Sequence, residues 1–64
     1  MLREKYAQEI EAILAKYPVR RSAILPLLYL VQQEYGYCTE EGIREVAEIT
    51  GVSPTEVREV VGFY

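Results

Sequence analysis

Gly51-Val52-Ser53-Pro54-Thr55-Glu56-Val57 ends one helix and begins another within a single short turn. Glycine takes the left-handed conformation that commonly follows a helix C-terminus. Ser53 then offers a side-chain oxygen to the free N–H groups of the next helix. Glu56 completes the pattern of a capping box, and Pro54 occupies the first helical position, where its missing N–H costs nothing. Val52 can staple onto Val57. Beyond the turn, Val57, Val60, Val61 and Tyr64 recur at helical spacing.

Upstream, the same logic repeats. Thr39 is placed to cap a helix led by Glu40 and Glu41, whose negative charge suits a helix N-terminus. The apolar stripe of this helix is Ile43, Val46, Ala47 and Thr50, and Gly51 stops it. Before it, Ser22 is read as the cap of a helix reaching Tyr35, with Gly36 as its left-handed terminator. Pro26, late in the first turn of that helix, is expected to cost one hydrogen bond and bend the chain locally. Ile24, Leu27, Leu28, Val31 and Tyr35 share its core face, while Leu25 and Tyr29 form surplus apolar surface on another. A first helix carries Leu2, Tyr6, Ile10, Ile13, Leu14 and Tyr17 on one stripe, and Pro18 ends it. The expectation is an all-α fold: a small bundle or orthogonal array of four helices, at about residues 2–17, 22–35, 40–50 and 54–63. No stretch alternates with period two, so no sheet is expected.

The chain has 64 residues, half of them hydrophobic, and reads as a single helical domain over residues 1–64. Domains this small often need a disulfide, a metal or a partner for stability. One cysteine excludes an internal disulfide, and with no histidine a stabilising metal is not expected. A partner is therefore expected. The net charge of −3 is the wrong sign for holding a phosphate backbone. The apolar run at 23–31 contains Pro26 and falls far short of the roughly 20 residues of a membrane span. The lone thiol fits a reduced, cytoplasmic setting.

No catalytic constellation emerges. Cys38 lacks a histidine or other activating base beside it and reads as a half-buried turn residue. Glu40-Glu41 reads as a charged first turn rather than an acid–base pair. Of the six tyrosines, Tyr6, Tyr17, Tyr35 and Tyr64 fall on core stripes, whereas Tyr29 and Tyr37 are freer to sit at an interface. Ala47, Gly51 and Val57 have the spacing of a DNA-binding helix-turn-helix. The would-be recognition helix, however, sets Glu56 and Glu59 against the single Arg58, so nucleic acid is not the expected partner.

Four segments form one connected pattern: Ala23-Ile24-Leu25-Pro26-Leu27-Leu28, Val31-Gln32-Gln33-Glu34-Tyr35-Gly36-Tyr37, Val52-Ser53-Pro54-Thr55-Glu56-Val57 and Val61-Gly62-Phe63-Tyr64. It resembles the N-terminal helical region of the small thioredoxin-like [2Fe–2S] subunit of NADH:quinone oxidoreductase, respiratory complex I. The same region occurs in related subunits of NAD(P)-linked hydrogenases and formate dehydrogenases. The resemblance implies a docking role, inactive alone, toward the flavin-bearing NADH-oxidising subunit, where FMN and NADH would reside. It implies a [2Fe–2S] cluster in a downstream thioredoxin-like domain, so this chain is expected to be the N-terminal part of a longer subunit. No cluster ligand is carried onto Cys38. A peripheral position on the cytoplasmic face, without membrane insertion, is also implied. Leu25, Tyr29 and Leu30 are the residues expected at the partner interface. The alternatives from other classes are a small helix-turn-helix DNA-binding protein and a generic helical interaction module.

Overall fold

The computed structural model describes residues 1–62. Its elements in chain order are α1 (Leu2–Lys5), α2 (Ala7–Lys16), a 3₁₀ helix (Arg20–Ala23), α3 (Ile24–Tyr35), α4 (Glu40–Thr50) and α5 (Pro54–Val61). No strand occurs among the described residues. The helix α3 packs against every other element, and α4 and α5 also pack on one another. With extents of 25 × 24 × 18 Å, the molecule has no long bundle axis; it is an array of helices around α3.

That centrality follows from the α3 sequence. Ile24, Leu27, Leu28 and Val31 are fully buried and meet Leu2, Val46 and Val57 in one core. The helix α4 can approach α3 closely because residue 42 is glycine: a Cβ there would collide with Cγ1 of Val31. Gly36 (φ 85°) and Gly51 (φ 77°) supply the left-handed terminators. The Thr39 hydroxyl accepts the Gly42 N–H at 3.0 Å, and Ser53 accepts the Glu56 N–H at 3.2 Å. Thr50 adds a tie across the α4–α5 turn, donating to the Val46 carbonyl at 2.8 Å and accepting from Val52 N–H at 3.2 Å.

Several local expectations are corrected. The first helix is not continuous from 2 to 17, because Tyr6 (φ −118°, ψ 32°) breaks it into α1 and α2. The break lets Leu2 drop into the core, fully buried, with its N–H donated to Glu45 Oε2 at 2.7 Å. Ser22 does not cap α3. It lies inside the 3₁₀ turn, donating its N–H to the Val19 carbonyl at 3.0 Å, and the extended entry position is Val19, which has no polar side chain. Pro26 does not interrupt α3, which runs unbroken from Ile24 to Tyr35. Pro26 is its third residue, where an N–H would be unpaired in any case. Only half of the capping box at Ser53 forms, because the Glu56 carboxylate is drawn instead to Arg21 Nη1 at 3.1 Å. The helix expected at 54–63 ends at Val61, followed by Gly62 in a turn. Phe63 and Tyr64, including the core role expected of Tyr64, lie outside the described residues.

Candidate docking surface

The second face of α3 carries Leu25 and Tyr29, one helical turn apart. They remain 44% and 54% exposed while the opposite face of the helix is fully buried. Together with Tyr17, Ser22 and Pro26 they line an open groove of about 360 Å³. Each wall has a local cause. Pro18 follows Tyr17 and prevents α2 from continuing past it. The 3₁₀ turn then places Ser22 at the groove, and Pro26 stiffens the first turn of α3. Val19, in the connector, is a further exposed apolar side chain at 63%. Leu30, the third residue expected at the interface, is only 8% exposed and belongs to the core. The structure thus brings Leu25 and Tyr29 to one surface and leaves Leu30 beneath it.

A buried charge gave little sign of itself in the sequence. Glu45 is 8% exposed on α4 and accepts two hydrogen bonds, from the Leu2 N–H and from the Tyr35 hydroxyl at 2.6 Å. It therefore ties three elements together. The hydrogen bond to Glu45, with burial second, pushes the Tyr35 hydroxyl pKa up to about 12. The only hint in the sequence is that Glu45 sits beside Val46 on the stripe side of α4, a position that ordinary amphipathicity assigns to the rim.

Among the described residues Cys38 is the one thiol. Cys38 is half-buried, and Gln32 Nε2 donates to its Sγ at 3.6 Å. Among the described residues no group of three or more histidine, cysteine, aspartate or glutamate side chains could hold a metal ion. A [2Fe–2S] cluster takes several thiolates, and these residues supply one, so they do not fit that group.

At the helix-turn-helix spacing, the cation of α5 is paired within the chain. Arg58, the single cation on α5, is held by Glu40 through both Nε (3.2 Å) and Nη2 (2.6 Å). This pair raises the Arg58 pKa and holds the Glu40 carboxyl below the usual carboxylate range. The bidentate pair compensates the charge of this exposed guanidinium in part.

Comparison with known proteins converges on one assignment. Residues 10–64 match the family described as thioredoxin-like [2Fe–2S] ferredoxin. The chain is 51% identical over 57 residues to NADH-quinone oxidoreductase subunit 2 of Thermus thermophilus, covering 86% of this chain and 32% of that protein. It is 47% identical over 57 residues to an NADH-quinone oxidoreductase subunit of Rhizobium meliloti, covering 89% of this chain and 34% of that protein. An NADH-quinone oxidoreductase subunit of Mycobacterium tuberculosis is 48% identical over 58 residues, covering 88% of this chain and 23% of that protein. The chain thus spans about a third or less of the length of these curated relatives. No solved structure matches it.

Proposed function

The chain belongs to the thioredoxin-like [2Fe–2S] ferredoxin family, and from that membership we propose that it is the N-terminal helical docking region of an NADH:quinone oxidoreductase [2Fe–2S] subunit. In this reading it binds the flavin-bearing, NADH-oxidising subunit through the surface around Leu25 and Tyr29. Its contribution is adhesion and positioning. Electron transfer would belong to a cluster held by the subunit's thioredoxin-like domain, and hydride transfer to the flavin and nicotinamide on the partner. The subunit would lie in the peripheral arm, on the cytoplasmic face. Among the described residues no helix is long and apolar enough to cross a membrane.

One observation carries this reading. The central helix is apolar on two sides: one is buried in the core, and on the other Leu25 and Tyr29 stay 44% and 54% exposed. The backbone carrying Leu25 and Tyr29 is a helix packed against all the other elements, so ordering on binding falls on the side chains alone.

The test is co-purification of the intact subunit with the flavin-bearing subunit. Leu25→Asp/Tyr29→Asp should abolish the association while leaving the helical circular-dichroism signal unchanged, because neither side chain is part of the core. Retained association in that double variant would overturn the docking role.

A further inference from the structure

The charges around the Leu25–Tyr29 groove are not distributed like those elsewhere on the molecule. Of the seven basic side chains, four are engaged by carboxylates among the described residues: Arg3 with Glu48, Lys5 with Glu34, Arg21 with Glu56 and Arg58 with Glu40. Arg44 has no such pair but lies on α4 within a turn of Glu40, Glu41 and Glu48. Lys16 and Arg20 remain. Neither has a carboxylate within salt-bridge distance among the described residues, although the chain is acidic overall.

Both lie on the stretch of chain between Lys16 and Ser22 that contributes Tyr17 and Ser22 to the groove. The Lys16 ammonium lies 5.6 Å from the ring centroid of Tyr17, which forms one wall. Arg20 opens the 3₁₀ turn that delivers Ser22 to the same groove, with exposed Val19 beside it. Their own helices supply no acidic neighbour: Ala12 and Ile13 precede Lys16 at helical spacing, and Ala23 and Ile24 follow Arg20. The result is an apolar floor of Leu25, Pro26 and Tyr29, bordered by a segment whose two cations have no carboxylate partner among the described residues.

We infer that this groove receives an acidic segment of the flavin-bearing subunit, one that seats leucine-like or aromatic side chains on Leu25, Pro26 and Tyr29 and brings carboxylates to Lys16 and Arg20. The inference rests on the docking reading and specifies the chemistry of the partner. Apolar contact supplies most of the affinity, whereas the two rim cations set the orientation and speed of encounter. An uncompensated cation at the rim of an apolar patch attracts a carboxylate and repels a basic competitor.

The experiment measures association of the intact subunit with the flavin-bearing subunit over a range of ionic strength. Lys16→Glu/Arg20→Glu should slow association about tenfold at low salt and remove most of its salt dependence. Lys16→Gln/Arg20→Gln should fall between the wild type and the charge reversal. The thermal midpoint of the intact subunit alone should not change in either variant. If both charge variants associate like the wild type while Leu25→Asp/Tyr29→Asp does not bind, the acidic partner is overturned and the docking surface stands. If Leu25→Asp/Tyr29→Asp also binds normally, the docking reading itself fails, and this inference with it. If the charge variants instead lower the midpoint of the subunit alone and leave association unchanged, the groove is covered by the subunit's own following domain. That outcome likewise overturns the proposal.

Discussion

The Tyr35 hydroxyl donates to Glu45 Oε1 at 2.6 Å, joining the last turn of the central helix to the middle of α4. The other oxygen of the same carboxylate holds the Leu2 N–H at 2.7 Å. A buried carboxylate with two donors is well satisfied, and removing it strands both. Glu45→Ala should therefore destabilise the chain by about 2 kcal/mol, whereas Glu45→Gln, which retains an acceptor oxygen, should cost less. Urea denaturation of the two variants measures the difference. In Glu45→Ala, amide hydrogen exchange should accelerate first in α1, whose attachment to the core depends on Leu2.

The same contact makes a prediction at alkaline pH. The folded pKa of Tyr35 is raised from 10.0 to about 12, mainly by the hydrogen bond to Glu45. A raised folded pKa contributes stability fully below the unfolded value and loses it as pH climbs through the folded value. Stability should accordingly decline between about pH 10 and pH 12. Ultraviolet titration should show one late-ionising tyrosine, absent in Tyr35→Phe, and the alkaline decline in stability should be shallower in that variant.

Gly42 tests the close approach of α3 and α4. Alanine is the better helix former by about 1 kcal/mol, which alone favours Gly42→Ala. The added methyl collides with Val31, however, and overpacking of this kind costs about 1–3 kcal/mol. Gly42→Ala should therefore lower the denaturation midpoint. Combining it with Val31→Ala should cost less than the sum of the two single changes, a coupling that a double-mutant cycle reads directly.

The two halves of the Ser53–Glu56 pattern should separate on mutation. Ser53→Ala removes a formed cap and should cost about 1 kcal/mol. Glu56→Gln disturbs an exposed pair with Arg21 and should change stability by about 0.5 kcal/mol or less. Equal losses in the two variants would mean that the reciprocal arm of the box forms in solution.

For the interface, Leu25→Ala should weaken binding to the flavin-bearing subunit by roughly 1 kcal/mol, about fivefold, since a half-exposed leucine retains about half of its burial energy to gain. Leu30→Ala should behave differently, as its side chain is 8% exposed and belongs to the core. It should reduce stability by about 2 kcal/mol or more before it affects binding. Thermal melts and binding isotherms on the same preparations distinguish the two effects.

What the sequence alone determined was governed by short-range bonds. Thr39, Ser53, Gly36 and Gly51 act on N–H and C=O groups a few residues away, so four of the helix boundaries and the core face of α3 could be read from spacing. The apolar surplus at Leu25 and Tyr29 was also legible, because helical periodicity assigns faces without knowledge of what covers them. Tertiary structure alone decided the rest. The bond from Leu2 to Glu45 spans 43 positions, and it accompanies the break at Tyr6 that a continuous apolar stripe concealed. The competition of Arg21 for Glu56 spans 35 positions and prevents the full capping box. Leu30 entered the core because its helix is packed by every other element, and the compensation of Arg58 by Glu40 depended on how α4 and α5 meet. Periodicity reports which way a side chain points along its own helix; only the assembled neighbours determine whether it meets solvent, a hydrocarbon core or an opposite charge.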